Sequence, residues 1–163
     1  MKLWGDRPVE VGHLLNPAFC GEIIRRSIRE YQKHSEDKFE FPLIYLILPI
    51  TLHRGTRAYI NPRSRSKMHV WLQENQEVRI GFSERAKQLT PITNESIQFL
   101  LHQNALEIGS YGDVIVPPYR RKRIDGYNSD EIADIFKKAE KVGKWFSSAG
   151  TTATIYTMWG VKP

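Results

Sequence analysis

Most protein chemistry runs through histidine, cysteine and carboxylate side chains. His13, His34, His53, His69 and His102 are scattered, and none stands four residues from another with a Glu between them, the spacing that puts two zinc ligands on one helix face. The single cysteine, Cys20, has no partner for an internal disulfide and belongs to no Cys-x-x-Cys pair. It falls on the apolar side of a predicted helix, where a thiol is an inert core residue rather than half of a Cys–His nucleophile. Gly-x-Ser-x-Gly, a phosphate-cradling glycine loop ending in Lys-Ser or Lys-Thr, and a dinucleotide glycine pattern are all absent. Glu30, Glu36, Asp37 and Glu40 read as solvent-facing or loop charges. The expectation is a chain with no catalytic residues, no metal and no cofactor.

Cations carry the next chemistry. A formal charge of +6 and a pI near 9.5 favour anionic surroundings without defining a site, so where the cations lie decides more. One group, Arg25, Arg26, Arg29 and Lys33, falls on the polar face of the first helix and reads as a solvated surface with Glu22 and Glu30 as local partners. A second spans 54–67 (RGTRAYINPRSRSK), read as a basic linker. The third and densest follows Tyr119: Arg120, Arg121, Lys122 and Arg123 are candidates for phosphate contact, since clustered cations release counterions on binding. From Gln88 to Pro118 there is no Lys or Arg at all, while Glu95, Glu107 and Asp113 are acidic. That stretch should repel a duplex and is expected to face protein instead.

The elements that position these residues follow from periodicity. Asn16-Pro17 is a cap followed by a first-turn proline, and Phe19, Cys20, Ile23, Ile24, Ile28 and Tyr31 recur at helical spacing, predicting a helix from 17 to about 33. Phe41 to His53 (FPLIYLILPITLH) leaves almost no polar face; it is too short to cross a bilayer and reads as a buried central helix that Pro49 should kink or end. Ser66, Ser83 and Thr90-Pro91 each read as a helix start. Ala105–Ile108 and Val114–Val116, around a glycine-containing loop, predict a β-hairpin. Asn128, with Glu131 three residues on, opens a helix to about 147.

Helices followed by a hairpin give the order of a winged helix. The expected fold is mainly α with a small β-hairpin: a winged-helix-like helical core over about 13–118, a basic linker over about 119–127, and a C-terminal helix with an extended apolar tail over about 128–163, all in one domain. The tail, TTATIYTMWGVKP, is β-rich. Tyr156, Met158, Trp159 and Val161 are costly to leave exposed, so the tail is expected to dock, either as a final strand on its own domain or as an anchor in another subunit. The opening MKLWGDRPVE lacks a targeting pattern, and a cytoplasmic location without membrane contact is expected.

Asn16-Pro17-Ala18-Phe19, Phe41-Pro42-Leu43 leading to Leu48-Pro49 and Leu52-His53, Arg85-Ala86 with Leu89-Thr90-Pro91, and the terminal Trp159-Gly160-Val161-Lys162-Pro163 together resemble the middle component of three-component ABC systems, the bacterial operons to which Lamassu-type anti-phage defence belongs. The resemblance runs from about residue 8 to the C-terminus. It implies a non-catalytic subunit bridging an SMC- or Rad50-like ABC ATPase and an effector, often a nuclease. In such systems the ATPase senses foreign or aberrant DNA, and the effector brings about abortive infection or plasmid loss. The resemblance offers no catalytic residues and no motif matching the run 119–123. The alternative from residues alone is a DNA-binding winged-helix regulator using 54–67 and 119–123.

Overall fold

Asn16 caps the first helix, α1 (Pro17–His34): its side-chain oxygen accepts from the amides of Ala18 at 2.7 Å and Phe19 at 3.4 Å, and Pro17 occupies the turn where no amide is needed. The structure, a computed structural model, describes residues 15–120 and 130–162. The apolar stripe of α1 is fully buried through Cys20, Ile23, Ile24 and Ile28, as its spacing predicts.

The apolar stretch after residue 41 is the centre of the molecule. A short 3-10 turn, Phe41–Leu43, leads into α2 (Ile44–Thr51), where Leu46, Ile47, Leu48 and Ile50 are all but inaccessible to solvent. Pro49 removes one amide from the helix, which runs on only to Thr51, whose hydroxyl returns a bond to the Ile47 carbonyl at 2.8 Å. α3 (Arg54–Arg57) and α4 (Met68–Glu74) follow. The expected Ser66 cap is not formed: Lys67 holds the cap position without a side-chain bond.

Two expectations about breaks are corrected. Ser83 and Thr90-Pro91 do not start separate helices; α5 (Phe82–His102) runs unbroken through Pro91. The Thr90 hydroxyl, read as a cap, instead donates to the Ala86 carbonyl one turn back at 3.0 Å. Packing decides the outcome, because Phe82 and Ala86 on one side of the proline and Ile92, Ile97 and Leu100 on the other are buried in the same core. The segment 54–67 is no free linker either. Arg57 is buried, donating to the Thr51 and Leu52 carbonyls at 3.1 and 3.2 Å, while Trp71 Nε1 ties down the Tyr59 carbonyl at 2.8 Å.

The predicted hairpin forms from β2 (Glu107–Ile108) and β3 (Asp113–Ile115), with Ile108 opposite Val114. Sequence reading missed a third strand, β1 (Phe39–Glu40), which pairs antiparallel with the other side of β3 and gives the order β1-β3-β2. Two residues are too few for alternation to show. The fold is thus mainly α with a small antiparallel sheet. α6 (Asp130–Ser147) lies along α1 and makes the most extensive helix–helix contact; its expected start at Asn128 lies outside the described residues.

The tail is not extended. It forms α7 (Thr152–Met158), capped by the Thr151 hydroxyl, which accepts from the Thr154 amide at 3.2 Å. Gly160, at φ +70°, closes it: the Gly160 amide bonds the Thr157 carbonyl and the Val161 amide bonds the Tyr156 carbonyl, both at 3.0 Å, a Schellman motif. The Trp-Gly-Val sequence is therefore a helix stop.

Candidate functional site

Tyr119, which precedes the densest basic run, packs on the cations of α1 about ninety residues earlier in the chain. Gln32 of α1 clamps the segment leaving β3, donating to the Val116 carbonyl at 3.1 Å and accepting its amide at 2.8 Å. Three residues past that clamp stands Tyr119, with the Arg25 guanidinium 3.4 Å and that of Arg29 5.5 Å from the centre of its ring. Arg120, the next residue, is exposed, while Arg121, Lys122 and Arg123 lie outside the described residues. Burial raises the Tyr119 phenol well above its usual range, so the ring is a neutral stacking surface.

This face is smaller than the sequence implied, because Arg26 is not solvated. Its side chain is fully buried, bonded to Glu22 at 2.8 Å, paired with Glu140 at 3.6 Å and stacked over Phe136 at 4.2 Å. It ties α1 to α6. Lys138 and Lys141 of α6 are buried too; Lys138 pairs with Asp134 at 3.0 Å and Lys141 donates to the Ser64 carbonyl.

A second surface has the opposite character. At the tip of the hairpin Tyr111 is 98 % exposed, and Ile108 and Ile115 stand partly open on the strands. Asp113 is screened by Lys38 of the segment before β1, at 3.5 Å. Of the candidate tail anchors, Tyr156 and Trp159 are buried within this chain, whereas Met158 and Val161 pack at its edge and stay partly open.

The comparisons with known proteins bear on what these surfaces serve. The sequence model of a family described as "ABC-three component (ABC-3C) system Middle Component 3" matches residues 4–163. The chain belongs to this family. No curated protein and no solved structure matches it. Middle Component 3 is one of several subunits of its system, which fits a chain carrying two contrasting surfaces.

The chain also has a cavity of about 470 Å³ between α3, α5 and α6, walled by Leu52, Leu89 and Ile135 and edged by His53, Arg57 and Arg85. Arg57 is already engaged there by Glu131 at 2.8 Å and Asp134 at 3.7 Å. His53 Nδ1 accepts the Thr56 amide at 3.1 Å, so its proton sits on Nε2. Among the described residues no group of His, Cys, Asp and Glu could hold a metal, and no helix is long and apolar enough to cross a membrane.

Burial, then the charges of Arg85 and Arg57, lower the His53 pKa. The fold favours neutral His53, so the unfolded chain takes up its proton first as pH falls. The contribution is complete above the ordinary value of about 6.5 and is lost as pH drops from there toward the folded value. His53→Asn keeps a capping oxygen but cannot titrate. Urea midpoints measured from pH 7.5 to 5.5 are expected to fall less steeply for His53→Asn than for the native chain; parallel curves would refute the assignment.

Proposed function

We propose that this middle component is a non-catalytic adaptor that joins an SMC- or Rad50-like, DNA-sensing ABC ATPase to an effector such as a nuclease, in a Lamassu-type anti-phage or anti-plasmid system. Helices α1 to α5 with the three-stranded sheet are read as a winged-helix-like core in which the hairpin is the wing. The observation that carries the reading is the wing itself. It presents a 98 % exposed Tyr111 with Ile108 and Ile115 nearby, in a stretch from Gln88 to Pro118 without one Lys or Arg. Exposed aromatic and aliphatic residues on a stretch that supplies no Lys or Arg of its own, its Asp113 already paired with Lys38, match the centre of a protein interface and not a duplex contact. The rival, a regulator reading bases through α5, would need cations along this stretch to hold phosphates.

Co-expression with the ATPase encoded beside it, followed by size-exclusion chromatography, tests the proposal. The two are expected to co-elute. Tyr111→Asp combined with Ile115→Ser should abolish or strongly weaken co-elution while shifting the stability of the isolated chain by only about 0.5 kcal/mol, since neither side chain is buried. A native chain that always elutes alone overturns the adaptor reading, and an intact complex with the double variant moves the interface off the wing.

A further inference from the structure

Sequence reading offered the run after Tyr119 as a lone cluster, but the structure seats its beginning on α1. Arg25, Arg29 and Lys33 succeed one another at four-residue steps, about 6 Å apart along the helix. Three cations therefore cover about 12 Å, a length over which one strand of a duplex advances roughly three phosphates. Glu22 is drawn to buried Arg26 at 2.8 Å and only distantly to Arg25, at 3.8 Å. Glu30 lies 3.2 Å from Lys33 and 3.8 Å from His34, and Glu140 faces Arg26 from α6. Among the described residues no carboxylate pairs with Arg29. Two guanidinium nitrogens flanking Tyr119, Arg25 Nε and Arg29 Nη1, are shielded from solvent and reached by no acceptor of the described residues.

A shielded guanidinium donor without an acceptor is costly, and the group that best satisfies it is an anionic oxygen. An open groove of about 400 Å³ is lined by Arg29, Lys33, Ile115, Pro117, Pro118 and Tyr119. We infer that α1 and the segment at 119–120 form one composite face, Arg25, Arg29, Lys33 and Arg120, that binds the phosphodiester backbone of nucleic acid without reading its sequence. Gln32 and Tyr119 are positioning residues: the amide clamp and the ring stack hold Arg120 beside the helix cations. The even spacing on one helix favours a regularly charged polymer over an acidic protein segment. The groove meets the wing at Ile115, while Tyr111 and Ile108 take no part in its lining.

The test uses the full chain and a fluorescein-labelled 30-bp DNA duplex of arbitrary sequence, followed by anisotropy from 50 to 300 mM salt. Native protein is expected to bind with a steep salt dependence. In Arg25→Gln/Arg29→Gln/Lys33→Gln, affinity should fall at least tenfold and the logarithmic salt slope should shrink by about 2 to 3, close to 0.9 per phosphate lost. Lys33→Glu, on an exposed side chain that leaves the fold intact, should lose about threefold and one unit of slope. No native binding at 50 mM salt, or native affinity and slope in both variants, overturns the inference. So does competition by polyglutamate as effective, charge for charge, as unlabelled duplex, which would point to an acidic protein. Both variants should still co-elute with the ATPase, so failure here is distinguishable from failure of the adaptor reading.

Discussion

Gly143→Ala is expected to destabilise the chain by about 3 kcal/mol, at the upper end of the cost of forcing extra methyl groups into a packed interior. The sign is opposite to what composition alone suggests, because Ala in a helix interior is normally favoured over Gly by about 1 kcal/mol. Gly143 lies on α6 where it crosses α1, and a Cβ there would stand 1.9 Å from the Ser27 carbonyl oxygen and 2.7 Å from its carbon. Both are backbone atoms. The helices can relieve the clash only by separating, and one turn back on α6 the Ser27 hydroxyl already donates to the Ala139 carbonyl. Separation would break that bond and loosen Ile23, Ile24, Phe136 and Val142 around it. Thermal melts should show a midpoint lower by roughly 6–12 °C for a chain of this size. Gly112→Ala is the control: it has φ +79° but nothing within 4 Å of an added Cβ, so it should cost only about 1 kcal/mol of backbone strain. Equal midpoints for Gly143→Ala and the native chain would refute the close crossing.

What sequence reading recovered was local. The Asn16-Pro17 start, the stripe of α1 and the buried centre expected over 41–53 each depend on residues within a few turns of one another; the first two appear as expected, and the third forms as a 3-10 turn at Phe41–Leu43 and a helix at Ile44–Thr51. What it missed depended on distant partners. Arg57 looks like a linker cation until Glu131, 74 residues on, is brought to it. Arg26 looks solvated until α6 supplies Glu140 and Phe136. Thr90-Pro91 is indistinguishable from a helix start by composition, and only shared burial on both sides keeps α5 whole. The two basic groups were visible as charge, yet nothing in their spacing says that Tyr119 joins them.

The tail shows how a local signal can mislead in a second way. Thr151, Thr152, Thr154, Ile155 and Thr157 are β-branched, so propensity favours a strand. That preference is worth tenths of a kcal/mol per residue, whereas burying Ile155, Tyr156 and Trp159 on one side of a single helical turn is worth several. Gly160 then permits the left-handed stop that a bulky residue would resist. Packing sets the conformation, and the threonines follow it.

Trp159→Ala should therefore lower the stability of the isolated chain by about 3–5 kcal/mol. The ring is 1 % exposed, 4.6 Å from Phe82 and 6.0 Å from Trp71 between centroids, and its Nε1–H points to Met68 Sδ at 3.4 Å. These contacts join α7 to the start of α5 and to α4, so removing the ring opens a cavity that three elements share. Met158→Ser and Val161→Ser, at the edge of the same helix, should each cost about 1 kcal/mol or less. The contrast separates the two roles proposed for the tail. A tryptophan reserved as an anchor for another subunit would leave the isolated chain untouched when truncated and would lower only co-elution. Because Phe82 borders the same space, Trp159→Ala and Phe82→Ala are expected to be non-additive, their combined cost falling short of the sum by at least 0.5 kcal/mol. Urea unfolding of the single and double variants measures this directly, and full additivity would place the two rings in separate environments.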